Sequence, residues 1–205
     1  MIHIKCKQFE TAVENYQKIL LLAEAERQSD DFLAQVHFNI GICFYHRKQT
    51  SEAVAEFTEA IKLSRRTYQK AFYALGMAEA ALKNWRAAEN AFRAAVKLKK
   101  TDGEAWFDLA LIHLAVKNLE AAETAFRNSI KYKSVAAADA HNNIGVIFAL
   151  QNNFLLAERE FQTALIQSRG TSAEARNNLQ FCKTYREENQ TLDLIAKLQF
   201  SKYRE

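Results

Sequence analysis

Proline is absent from the 205 residues, and glycine occurs only five times. A sheet protein spends both freely on its turns, so their scarcity points to an all-helical chain. Cysteine is scarce as well. Cys6, Cys43 and Cys182 lie far apart, show no C-x-x-C spacing and leave one thiol over in any pairing, so they read as reduced thiols that pack as small hydrophobes. No stretch approaches the roughly 20 apolar residues that a bilayer span needs. The opening MIHIKCKQFE has no apolar core of a signal peptide, and a cytoplasmic location is expected. Charge of one sign is also lacking: 28 Lys and Arg against 24 Asp and Glu leave +4, too even a balance to predict a nucleic-acid partner. What the chain does have is a 49% hydrophobic fraction, enough to build a core.

Reactive constellations are missing too. The five histidines, His3, His37, His46, His113 and His141, form no H-E-x-x-H or other ligand spacing, and there is no glycine-rich phosphate loop. Acidic pairs such as Glu187 and Glu188 fall on a polar surface. No catalytic residue, metal site or cofactor is expected, and the chain reads as non-enzymatic.

The positive signal is repetition. FNIGICFYHRKQTSEAVAEFTEAIKL from Phe38, YALGMAEAALKNWRAAENAFRAAVKL from Tyr73, FDLALIHLAVKNLEAAETAFRNSIKY from Phe107 and NNIGVIFALQNNFLLAEREFQTALIQ from Asn142 align without gaps. Gly41, Gly76, Ala110 and Gly145 share one column. Ala53, Ala88, Ala122 and Ala157 form a second, Phe57, Phe92, Phe126 and Phe161 a third, and Ala60, Ala95, Ser129 and Ala164 a fourth. Small residues on both helices let the two backbones approach, and the phenylalanine fills the gap that antiparallel packing leaves. One pair cannot bury both its faces, so neighbouring pairs must stack.

These columns resemble the tetratricopeptide repeat, with its W-x2-L-G-x2-Y and A-x3-F pattern. Trp106 and Leu109 match its opening in one repeat, and Phe72, Leu75 and Gly76 in another, while His37 and His141 fill the bulky opening slot elsewhere. The motif's final proline is replaced by Arg65, Lys100, Ser134 and Arg169, a departure expected to weaken helix termination there. The resemblance implies an all-α, right-handed superhelical solenoid of antiparallel helix pairs. It covers residues 34–171 as four repeats, 34–68, 69–102, 103–137 and 138–171.

The flanks are less regular. Residues 1–33 carry Phe9, Ala12, Tyr16 and Ile19 in the spacing of a second helix, followed by a long junction around Ala23 to Asp31 that is either more helix or loop. So little precedes this helix that the chain reads as a piece of a longer protein, the alternative being a lone capping helix. Residues 172–205 read as a C-terminal cap: Asn178 and Leu179 continue the repeat, and Leu194, Ile195, Leu198 and Phe200 follow at helical spacing. A docking helix is the other reading of that segment.

In a solenoid of this family the first helices line the inner groove. The resemblance places Phe38, Asn39, Ile42, Tyr45, Tyr73, Met77, Phe107, Asp108 and Leu111 there as a mainly apolar lining, then Asn142, Asn143, Asn177 and Asn178 as amides. Asn39, Asn143 and Asn178 resemble a peptide-gripping asparagine ladder, interrupted by Ala74 and Asp108. The bland alternatives are solvated or turn-capping amides, and core rather than groove for Phe38, Tyr73 and Phe107. Arg65, Arg66, Lys97, Lys99 and Lys100 make a basic edge, read either as helix-end charge or as a ridge for an acidic partner.

The expected function is a scaffold that binds a peptide or helix of a protein partner in this groove, for complex assembly or recruitment. Two alternatives stand beside it: a targeting module of a larger multidomain enzyme, and a scaffold that self-associates through apolar ends.

Overall fold

The computed structural model describes residues 2–188 with Leu198 and Phe200, and the side chains of residues 8–23, 25–185, 198 and 200. Among the described residues ten helices follow one another: α1 Ile2–Ala25, α2 Asp30–His46, α3 Thr50–Leu63, α4 Gln69–Ala81, α5 Trp85–Leu98, α6 Gly103–Ala115, α7 Leu119–Lys131, α8 Ala137–Leu150, α9 Phe154–Gln167 and α10 Ala173–Glu188. No strand occurs among the described residues, and no helix there is long and apolar enough to cross a membrane. The packing divides into two compact units, Met1–Lys100 and Thr101–Glu205.

In the first unit, α2 packs on α3 and α4 on α5, with α1 laid against α2. The junction around Ala23 to Asp31 is largely more helix. α1 runs on to Ala25, a turn with Arg27 at φ 55° follows, and Ser29 opens α2 by accepting from the Phe32 amide at 3.3 Å. α1 buries Val13 against Val36, Ile40 and Cys43 of α2, with Phe9, Ala12, Tyr16 and Leu20 packed around them. Ile19, expected in that stripe, is exposed; Leu20, four residues after Tyr16, takes its place.

In the second unit, α6 packs on α7 and α8 on α9, and α10 rests on α9 and α8. The four column phenylalanines and the Ala53, Ala88, Ala122 and Ala157 column are buried throughout. The glycine column is explained by distance. A Cβ on Gly41, Gly76 or Gly145 would stand 2.6, 2.8 or 2.6 Å from the ring of Phe57, Phe92 or Phe161. Gly103 is less forgiving, since its Cβ would meet the Ser134 amide nitrogen at 2.8 Å and the Tyr132 carbonyl oxygen at 2.9 Å, both backbone atoms that cannot swing aside as a side chain can.

The turns show how a chain so poor in glycine reverses direction. Lys48, Lys83, Lys117 and Asn152, one per repeat, adopt φ 63°, 61°, 60° and 61°. The following amides, Gln49, Asn84, Asn118 and Asn153, reach back to Phe44, Glu79, His113 and Phe148 at 2.8–2.9 Å, closing each first helix with the bond pattern usually built on glycine. The same device ends second helices at Arg65 and Arg66, Lys133 and Arg169. This corrects the expectation of weak termination for α3, α7 and α9, whereas α5 ends at Lys99 with φ −136° and no left-handed residue. Proline is locked near φ −65° and could not occupy Arg65 at φ 49° or Arg169 at φ 52°. Its absence there therefore goes with a firm left-handed stop.

Candidate partner-binding faces

The opening slot of each repeat is filled in one of two ways. His37 Nδ1 lies 2.7 Å from Glu56 Oε2, and His141 Nδ1 lies 2.6 Å from Glu160 Oε2. Where the slot holds Phe72 or Trp106, the position nineteen residues later is Ala91 or Ala125. A wide ring leaves room only for a small partner, and an imidazole needs a polar one. The sequence placed both histidines in the bulky opening slot without naming a partner for either. The paired glutamates went unread, although Glu56 and Glu160 recur at one spacing and offered the signal.

Within the first unit, Phe38, Ile42 and Tyr45 rise along α2 at i, i+4 and i+7 and pack toward Ala74 and Ala78 of α4. Tyr73 and Met77 stand on α4 itself. All five, with Asn39, are half-buried, so part of each side chain remains open to solvent. Inner contacts hold the rings: Phe38 lies 5.1 Å from Tyr68 and 5.9 Å from Phe57, and Tyr73 meets Phe92 edge-on at 5.7 Å. Phe38 and Tyr73 are thus both anchored in the core and exposed at the face. The structure brings six of the expected lining residues onto two adjacent helices.

The second unit corrects the rest of the expected lining. Phe107 and Asp108 are 5% and 4% exposed, and Asn142, Asn143 and Asn178 are fully buried. Phe107 packs edge-on against Phe126 at 5.4 Å, and Leu111 is half-buried against the same cluster. The amides bond to one another. Asn178 Nδ2 donates to Asn142 Oδ1 at 2.9 Å, and Asn142 Nδ2 donates to Asn143 Oδ1 at 3.4 Å. A buried amide must find such partners, so these asparagines tie α10 to α8 instead of offering an open ladder. Asn177 alone of the four is exposed.

The C-terminal expectation is also revised. Leu194 and Ile195 lie outside the described residues. Leu198 and Phe200 are described and belong to no helix, so helical spacing does not account for them. Leu198 is buried in the cluster of Val146, Ala149, Phe161 and Cys182, and Phe200 packs against that cluster and the neighbouring one around Phe107 and Ile144. Burial, reinforced by the Glu158 carboxylate, pushes the Cys182 thiol up to about 12. In the first unit burial also raises Cys43, but the Arg47 guanidinium pulls it back.

Arg65, Arg66, Lys97, Lys99 and Lys100 are exposed at the C-terminal ends of α3 and α5, where cations oppose the negative pole of each helix. Arg66 also lies over the Phe72 ring, 5.3 Å from its centroid. Among the described residues no three His, Cys, Asp or Glu side chains gather as a metal site.

Comparison with solved structures finds the same fold. MamA is similar over 78% of this chain and 89% of its own, at 20% identity and a TM-score of 0.70. YrrB, described as a TPR protein with an unusual peptide-binding site, is similar over 90% and 91%, at 18% identity and a TM-score of 0.70. BtubC from P. vanneervenii is similar over 81% and 75%, at 14% identity and a TM-score of 0.71. A sequence comparison with curated proteins found no match. Tetratricopeptide-repeat family models match residues 1–66, and residues 73–131 and 114–175. With its helix pairs, its small-residue and phenylalanine columns and these matches, the chain belongs to the tetratricopeptide-repeat family, whose fold serves as a protein-interaction scaffold.

Proposed function

We propose that the chain recruits a protein partner by taking a peptide or helix of that partner onto the α2/α4 face of the first unit. The observation that carries this reading is the half-open stripe of Phe38, Ile42 and Tyr45 beside Tyr73 and Met77. Aromatic side chains with two torsions each lose little entropy on binding, and here their inner edges are already packed, so the face is preorganised. Asn39 stands in the same face with an amide that both donates and accepts. The likeness to YrrB, itself described as having a peptide-binding site, supports a peptide ligand. Catalysis is not part of the proposal, and a cytoplasmic location fits it.

The test is affinity capture from native lysate with wild type and the Tyr45→Ala, Tyr73→Ala double variant, with partners quantified by mass spectrometry and helicity checked by circular dichroism. A partner recovered by wild type should fall by about tenfold or more with the variant, the loss of a binding hot spot. Equal recovery by a folded variant would remove the α2/α4 face from consideration.

A second reading, self-association, is favoured by Leu21 and Leu22 of α1, which are 69% and 63% exposed. Light scattering should then show mass rising with concentration, and Leu21→Glu, Leu22→Glu should abolish the rise. A constant monomer mass would dismiss it.

A further inference from the structure

The first unit gathers positive charge at one corner. Ala60 and Ile61 near the close of α3, Ala71 and Phe72 near the start of α4, and Ala95 near the close of α5 meet in one cluster, so these three helix ends lie together. Around them Arg65, Arg66, Lys70, Lys97, Lys99 and Lys100 are all exposed. Residues 60–78 and 90–101 contain no Asp or Glu. These six cations alone exceed the chain's net charge of +4, so the remainder of the molecule is net acidic.

Helix-end charge explains only part of this. Lys70 stands in the first turn of α4, at the pole that repels a cation, and that end of the helix has no acidic residue and no side-chain cap. The α3/α4 turn also holds a cation where none is needed. Ser64-Arg65-Arg66-Thr67 and Ser168-Arg169-Gly170-Thr171 close α3 and α9 with the same bonds. The Arg66 and Gly170 amides donate to the Ile61 and Leu165 carbonyls at 2.9 and 2.7 Å, and the Thr67 and Thr171 hydroxyls donate to the Ser64 and Ser168 carbonyls at 2.7 Å. The α9 turn has glycine at φ 76°, whereas the α3 turn holds Arg66 there at φ 65°. Glycine would adopt that conformation without steric cost, so the arginine is kept against the preference of its backbone.

The second unit shows what such a turn accepts. Glu104 Oε1 accepts from the Ser134 hydroxyl and the Val135 amide, both at 2.8 Å, which seats a carboxylate on the α7/α8 turn. At the matching positions one repeat earlier, Lys70 replaces Glu104 and Lys100 replaces Ser134. The corner of the first unit thus offers cations where the next repeat carries its own acid. Leu98, 43% exposed between Lys97 and Lys99, adds an apolar contact. The rings here are Phe72, which is buried, and Tyr68, which packs on Phe38, so the corner has no stacking platform for bases and suits a protein segment better than a single-stranded nucleic acid.

We infer that this corner binds an acidic run of a partner protein, its side-chain carboxylates seated among Arg66, Lys70 and the lysines that close α5. Arg66 lies over the Phe72 ring, 5.3 Å from its centroid, and so presents a positioned guanidinium. The site is built from helix ends and the turns between repeats, and it does not depend on the α2/α4 face.

The experiment uses the full chain and a labelled peptide of six glutamates around one leucine, amidated at its C-terminus so that only side-chain carboxylates are offered. Binding is followed by anisotropy at low salt, where surface charge is least screened. The wild type should bind, and the Arg66→Gly, Lys70→Gln variant should bind about tenfold or more weakly. Glycine relieves the turn at position 66, so the variant should keep its helicity by circular dichroism. The Lys48→Gly, Lys83→Gly variant loses the same charge from left-handed positions at the opposite ends of α2 and α4. It should stay within about twofold of wild type, as should Tyr45→Ala, Tyr73→Ala, which separates this corner from the α2/α4 face. No binding by the wild type overturns the proposal, and so does an equal loss in either of these two controls. A single-stranded oligonucleotide of the same charge is the second probe. Tighter binding of it than of the peptide, lost in the Arg66→Gly, Lys70→Gln variant, would make the corner a nucleic-acid site and overturn the assignment to a protein partner.

Discussion

The two units are built on the same columns yet treat one column oppositely. Phe57 and Phe92 in the first unit and Phe126 and Phe161 in the second are buried alike, each against a glycine or alanine of the facing helix. Asn39 and Asn143, by contrast, occupy one repeat position and differ entirely: the first is half-buried on α2, and the second lies inside an amide network. Columns between the paired helices are determined by the pair. Columns on the outward side of the first helix depend on what the rest of the chain lays over them, and only the second unit has Leu198 and Phe200 there.

The comparison can be broken at its strongest point first. Phe57→Ala and Phe161→Ala should each cost about 3–5 kcal/mol in denaturant unfolding, because each leaves a ring-sized cavity that the adjacent glycine cannot fill. A large disparity between the two would show that the shared column is not equally structural. Next, Asn143→Ala should cost about 1–3 kcal/mol by removing a partner from buried amides, while Asn39→Ala stays within about 0.5 kcal/mol. Equal losses would erase the difference between the two faces.

The thiols sharpen the contrast by rate. Cys43, with Arg47 beside it, should alkylate about tenfold or more faster than Cys182, which burial and Glu158 keep protonated. The sign for stability follows. Both folded thiols have raised pKa values, so the native state holds protons that the unfolded chain releases from about pH 8.5 upward. That contribution is complete below pH 8.5 and is lost as pH rises toward 12, so the denaturation midpoint should fall across this alkaline window. Replacing Cys182 by Ala should flatten that fall, and an unaltered profile would count against the thiol as its source. The smallest effect belongs to the turns. Lys83→Gly and Lys117→Gly should each stabilise by about 1 kcal/mol, because glycine adopts positive φ without the steric cost a lysine bears.

The repeat arithmetic made most of the helix pairing legible, because glycine, alanine and phenylalanine recur wherever two helices approach. The candidate site was half legible. Phe38, Ile42, Tyr45, Tyr73 and Met77 stand half-buried on α2 and α4, two helices in contact, but the resemblance that pointed to them also placed Phe107, Asn142 and Asn178 in an open groove. Periodicity assigns a residue to a side of its helix, and it is silent about a segment that returns from 36 or more residues further on. Leu198 and Phe200 were read with a helical period because α10 precedes them, and nothing local marks the change. The lysine turns were hidden for a different reason: glycine is the usual sign of a left-handed stop, and here basic residues hold that conformation at the end of the helix.

The buried amides of α8 and α10 bear on a hazard peculiar to repetitive chains. Each helix in an array resembles several others closely enough to be paired with the wrong one, and misassembly of this kind is a characteristic failure of repeat proteins. Apolar columns cannot prevent it, since one phenylalanine fits a neighbour's glycine as well as its own. Asn178 finds its acceptor on Asn142, whose position holds tyrosine in the second repeat and phenylalanine in the third. A slip by one repeat would bury an amide with no matching partner, at a cost the correct pairing avoids. The asparagines thus act as an address within an otherwise interchangeable series, telling the last helix which of its look-alike neighbours is its own.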